Sequence, residues 1–241
     1  MGTSEAVLWT SEAHRKAAVW IHVVKYIMRI VGIDLSGPRN FADTCLVSFE
    51  TRGEEIRLID VRAGADDDQI LEAISSLSHN ERIVIGIDAP LSYNPGGGER
   101  SSDSALRRLV HSQGGRVGIM SPTMIRMVYL TLRGLHLTRL LESLKPQLDL
   151  GIVETHPGTC MILRGAEAGD VRTFKTEPPA RGRLLEWLET QGLKGICHTD
   201  SVTDHYVAAC AAALGAWQWN LGKSIWRFAA ELPHHPYDFA C

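Results

Sequence analysis

Three short apolar runs in this chain each end on an acid. Ile30-Val31-Gly32-Ile33 runs into Asp34, Ile83-Val84-Ile85-Gly86-Ile87 into Asp88, and Leu150-Gly151-Ile152-Val153 into Glu154. Brief apolar runs rich in β-branched residues are typical of strands covered on both faces, which occur in parallel sheets with helices on either side. In open sheets of that kind, binding sites form beyond the carboxyl ends of the strands, where the three acids fall. A single strand-end Asp is usually a turn former or a helix cap. Three on one sheet bring carboxylates together, and burial penalises such a group unless a cation lies among its members.

The rest of the pattern fills in the layers. Thr44 to Glu50 and Glu55 to Val61 alternate as strands joined by a turn at Thr51-Arg52-Gly53, so the first three strands are expected as an antiparallel meander. Asp66 to Ser78 has helical spacing at Ile70, Leu71, Ile74 and Leu77, with acids at its start as the helix dipole favours. Ala89 to Gly98 reads as a loop holding Pro90, Pro95 and three successive glycines, expected to act as a mobile substrate flap. Ser102 to His111 and Ile125 to Leu144 are expected helices, and the third acidic run continues to His156. Pro178-Pro179 reads as a turn before an amphipathic helix from Arg181 to Gln191. Ser201 to Trp219 is a last helix, whose alanines let it lie close on a sheet. The order predicts an α/β fold with a ribonuclease H-like mixed sheet, an antiparallel edge plus a parallel half, flanked by helices. Residues 28–241 are expected as a single domain with helical insertions, preceded by an amphipathic extension over residues 1–27, because Met28 reads as a natural start.

Composition narrows the class. With 44% hydrophobic and 22% charged residues among 241, the chain is neither disordered nor a coiled coil. Its five cysteines are scattered without a CxxC pair, which excludes a zinc ribbon and a disulfide framework and points to a reducing, cytoplasmic setting. No apolar run approaches the ~18 residues of a membrane span. The net charge of −3 hides a basic middle: from Glu99 to Arg139 there are seven arginines and only two acids. That balance suits an anionic substrate beside a carboxylate-bound metal and argues against a strongly basic nucleic-acid binder.

A fourth acid, Asp204, stands on the first turn of the last helix. Asp34, Asp88, Glu154 and Asp204 are therefore expected to converge on one cleft. Hard oxygen ligands select Mg²⁺ or Mn²⁺, and such ions serve phosphoester hydrolysis. His156, two residues after Glu154, is either a ligand, acid or substrate contact, or a hydrogen-bonded histidine at a strand end. His205 is expected to miss the site, since it lies ~100° round the helix from Asp204. Arg100, Arg107 and Lys175 are candidate phosphate contacts, with Asp103 pairing to Arg107 four residues on. Trp187, Trp217, Trp219 and Trp226 read as packing residues. His234-His235 falls in a proline-rich tail expected to be loose.

Four blocks resemble domain-of-unknown-function family 429: Val31-Gly32-Ile33-Asp34, Ile87-Asp88-Ala89-Pro90-Leu91, Val153-Glu154-Thr155-His156-Pro157 and Asp204-His205-Tyr206-Val207-Ala208-Ala209. The linking stretches Arg100-Ser101-Ser102-Asp103 with Arg107, and Phe174-Lys175 with Arg181-Gly182-Arg183-Leu184, are similar as well. The resemblance runs from Met28 to about Trp219 and implies predicted nucleases of the ribonuclease H-like fold. The chain departs from the family in its Asp204-His205 pair and in Gly158, which stands where the family carries an acid, so a second carboxylate beside Glu154 is missing. Three readings follow: a divalent-metal-dependent phosphoester hydrolase, either nuclease or phosphatase; an actin-like ATPase or sugar kinase; and a non-enzymatic binding protein. The kinase reading is opposed by the single glycine of Asp34-Leu35-Ser36-Gly37-Pro38 and by the lack of a second core copy.

Overall fold

β1 (Met28–Asp34) marks the point where the sheet changes direction. On one side it pairs antiparallel with β2 (Cys45–Arg52), which pairs antiparallel with β3 (Glu55–Ala63); on the other it pairs parallel with β4 (Arg82–Asp88). The computed structural model describes residues 27–77, 81–197 and 202–241. In chain order the remaining elements are α1 (Asp67–Ser75), α2 (Ser101–Ser112), α3 (Val128–Glu142), β5 (Leu150–Glu154), α4 (Pro157–Leu163), α5 (Ala168–Thr173), α6 (Pro178–Thr190), β6 (Leu193–Lys194), α7 (Asp204–Asn220), β7 (Arg227–Phe228) and β8 (Phe239–Ala240). The described strands form one eight-stranded sheet in the order β6-β3-β2-β1-β4-β5-β8-β7, with β1, β4, β5 and β8 mutually parallel. An antiparallel edge beside a parallel half, flanked by helices, is the α/β arrangement that the sequence pattern predicts and is consistent with a ribonuclease H-like fold.

Helices cover both faces. Ile30, Val84 and Val153 pack with α2, α4, α5, α6 and α7, whereas Val31, Ile33, Ile85, Ile87 and Ile152 pack with α1 and α3. Side chains alternate between faces along a strand, so these two cores fix which way each strand-end residue points. The α7 face is made for close approach. Gly32 and Gly86 are register partners. A Cβ at Gly86 would lie 2.5 Å from the Ala212 carbonyl oxygen and 2.9 Å from the Ala216 Cβ, and one at Gly32 would strike Ala209 and Ala213. The two glycines and the alanine run therefore seat α7 directly on β1 and β4, bringing its first turn against the carboxyl ends of those strands.

Several local expectations are corrected. Pro178 and Pro179 start α6 rather than forming a separate turn, because proline's fixed φ suits the first helical position and its missing N–H costs nothing there. Asp66 caps α1 through the Gln69 N–H in a capping box, so that helix starts one residue later than expected. The third acidic run stops at Glu154, and His156 caps α4. The tail is not loose: β8 joins the sheet beside β5, the Glu154 N–H donates to the Asp238 carbonyl (2.9 Å), and Ser92 and His235 are 2.8 Å apart through Oγ and Nδ1. The amphipathic extension, residue 78 of the first predicted helix and Ser201 of the last lie outside the described residues.

Candidate active-site cleft

The parallel register places Asp34 directly beside Asp88. Both carry the parity of the α7 face, two residues beyond Gly32 and Gly86. The two carboxyls are close enough for each to shift the other. Burial and the neighbouring Asp34 charge push the Asp88 carboxyl well above the usual carboxylate range. Burial also raises Asp34, against the pull of a hydrogen bond from His205. That bond, from His205 Nδ1 to Asp34 Oδ2, is 2.7 Å long and raises the imidazole above its ordinary 6.5. The positive charge of Lys175, an exposed residue on the chain leaving α5, acts on both aspartates and draws them down.

His205 is thus the functional residue that helical angle alone misassigned. Because α7 approaches end-on over Asp34, a residue 100° round the helix from Asp204 still reaches the carboxylate. His205 Nε2 lies 3.9 Å from Asp43 and 4.0 Å from Asp204, so Asp204 is at the site but one histidine removed from Asp34.

All four predicted acids line one cleft of about 540 Å³, but Glu154 is already neutralised. It has the parity of Leu150 and Ile152, which pack on the α1 and α3 side, although its carboxylate still lines the cleft. There Arg100 holds both its oxygens, at 2.5 and 2.9 Å, and the Leu91 N–H donates to it at 2.8 Å. Thr155 takes the place beside Asp88 instead: its N–H continues the ladder to the Ile87 carbonyl (2.9 Å). Its buried hydroxyl has no hydrogen-bond partner among the described residues. Strand parity is the sequence signal that separates Glu154 from Asp34 and Asp88.

The predicted phosphate contacts also rearrange. Arg100 is 4% exposed and fully engaged by Glu154 and Asp103, with the Phe239 ring 5.6 Å away. It is a structural ion-pair partner, not an open cation. Arg107 lies outside the cleft lining and ties Glu99 to the Ile119 carbonyl. Asp103 pairs with Arg100 rather than Arg107. Lys175 does line the cleft, and it is joined by two arginines that sequence reasoning passed over, Arg116 and Arg172. All three are exposed and form no ion pair among the described residues. His156 lines the cleft with its ring fixed: Nδ1 accepts from the Thr159 N–H (3.3 Å) and Nε2 faces the Gly118 carbonyl (3.4 Å). Burial lowers its pKa, which keeps it neutral. Gly96 to Gly98 do not line the cleft, and the Gly98 N–H is held by the Thr123 hydroxyl (2.9 Å).

No described helix is long and apolar enough to cross a membrane. No curated protein and no solved structure matches the sequence. A family model does match, over residues 32–236, with the description "protein of unknown function (DUF429)". That span carries the strand-end acids, the Arg100–Asp103 segment and the start of α7 in order, and the chain belongs to this family.

Proposed function

We propose that the protein is a divalent-metal-dependent phosphoester hydrolase, a nuclease or phosphatase, that acts in the cytoplasm on a phosphate-bearing substrate. The observation that carries this reading is the Asp34–Asp88 pair: two half-buried carboxyls side by side in a cleft also lined by Arg116, Arg172 and Lys175, cations that form no ion pair among the described residues. Like charges held together call for a cation between them, and a cationic lining calls for an anionic ligand.

The donor set fits one hard ion better than two. Asp34 and Asp88 offer oxygens, Glu154 is held by Arg100, and no cluster of three or more metal-ligating side chains stands ready among the described residues. Mg²⁺ and ions like it commonly bind through one or two carboxylates and complete their shell with water and substrate phosphate. When bound, the ion supplies positive charge against the phosphoryl oxygens and makes a nearby water more acidic. Asp34 and Asp88 would hold it; Asp34 also orients His205 through Nδ1, which would leave Nε2 to exchange a proton with the substrate. Arg116, Arg172 and Lys175 grip the phosphate as it enters.

The test is a panel of phosphomonoesters, phosphodiesters and single-stranded nucleic acids assayed with Mg²⁺ and Mn²⁺, alongside the melting temperature with each ion. Metal-dependent turnover of one class supports the reading and separates phosphatase from nuclease. No turnover together with no ion-induced rise in melting temperature would overturn it.

A further inference from the structure

The cleft wall contributed by residues 116–130 changes character along its length. It starts at the cation Arg116 and continues as Val117, Ile119, Met120, Met127 and Leu130, a wall without a single polar side chain. α3 begins at Val128, and the turn before it, closed by the Val128 N–H on the Met124 carbonyl (2.9 Å), returns Met127 and Leu130 to the cleft. Met120 is 41% exposed and Met127 and Leu130 are half-buried, so this wall is open to a ligand.

Building on the phosphate reading above, we infer that the ligand is a small phosphate ester with an aliphatic chain. Its head meets Arg116, Arg172 and Lys175 over Asp34 and Asp88, and its chain runs along the wall of Val117, Met120, Met127 and Leu130. Three observations favour this class. The wall has no side-chain donor or acceptor to pair sugar hydroxyls, which would lose their hydrogen bonds against it. Nucleic acid is gripped by aromatic platforms interleaved with cations along several nucleotides. Here the cleft's two aromatic rings, Phe174 and Phe239, are only 4% and 5% exposed and offer no open stacking platform. The volume of about 540 Å³ is that of a small-molecule site.

The test is calorimetric binding of methylphosphonate, hexylphosphonate and phenylphosphonate with Mg²⁺ present. None has an ester bond to cleave, so binding is read without turnover. Hexylphosphonate should bind at least ~10-fold tighter than methylphosphonate, as partial burial of five extra methylenes implies. In the double variant Met120→Ser, Met127→Ser the gap should shrink to ~3-fold or less; neither side chain is buried, and circular dichroism checks the fold. If methylphosphonate binds and hexylphosphonate binds no tighter, the chain inference fails and the phosphate reading stands. If neither binds, both fall. Tightest binding of phenylphosphonate would point to an aromatic substrate instead. An unchanged gap in the double variant would overturn the inference.

Discussion

The Arg100 guanidinium closes on both oxygens of Glu154 with one edge and on Asp103 with the other. The three side chains are 3%, 6% and 2% exposed. The acid that ends β5 is thereby withdrawn from the carboxylates of β1 and β4 and turned into a strut. It joins β5 to the start of α2 and, through the Leu91 N–H, to the loop after β4. The chemistry of the cleft then rests on Asp34, Asp88 and the α7 histidine.

Removing Arg100 should cost stability first. Arg100→Ala leaves two buried carboxylates without a counter-charge, a loss of about 3–5 kcal/mol for broken buried pairs. Urea unfolding measures it. A loss below ~1 kcal/mol would mean the cluster is already hydrated or protonated.

Asp34→Asn should lower turnover of the substrate that the panel identifies by ~10²-fold or more, because charge is lost where the transition state needs it. The same variant should lose the rise in melting temperature with Mn²⁺. Lys175→Ala should chiefly raise KM, whereas Arg107→Ala, outside the cleft, should leave both kinetic constants nearly unchanged. Steady-state kinetics on folded variants separate these outcomes, and full activity in Asp34→Asn would remove the hydrolase reading.

The Asp88 carboxyl predicts a pH trend. Its folded pKa is raised well above 3.8 by burial and the Asp34 charge. A group raised in the fold adds stability that is complete below its unfolded value and is lost as pH rises through the folded one. Without divalent ions the melting temperature should therefore fall as pH climbs above 3.8 toward neutrality. Asp88→Asn should flatten that fall and be the more stable protein at neutral pH. An unchanged slope in the variant would place the origin elsewhere.

Gly86→Ala tests the seat of α7. The new Cβ meets helix backbone, which cannot step aside, so the loss should be about 2–3 kcal/mol, read by chemical denaturation. Activity should drop with it, since α7 carries Asp204 and His205 to the cleft. A neutral effect would mean the helix rides higher than the glycine contact implies.

Thr155→Val asks whether the orphan hydroxyl beside Asp88 serves the fold or the ligand. An unpaired buried hydroxyl gives the fold nothing, so the change should be neutral or stabilising by thermal melt. A loss of more than ~1 kcal/mol would reveal a partner for the hydroxyl in the folded protein.

The sequence alone determined the strands β1 to β5, their direction and the two aspartates. Apolar runs of four or five residues are local signals, and each acid stands at a run's end whatever the rest of the chain does. The glycines and alanines that let α7 lie on the sheet were equally visible, because their small size acts wherever the helix lands. Tertiary structure decided the roles. Glu154 looks equivalent to Asp34 and Asp88 along the chain, but Arg100, fifty-four residues away, captures it. His205 reaches Asp34 only because α7 starts over the end of β1, an angle no helical wheel contains. The tail, which reads as loose proline-rich chain, becomes the strand next to β5, since a two-residue strand owes its existence to the edge that receives it. Pairings between distant residues depend on register and on which helix end meets which strand, and both are set by packing the two cores rather than by any local run of sequence.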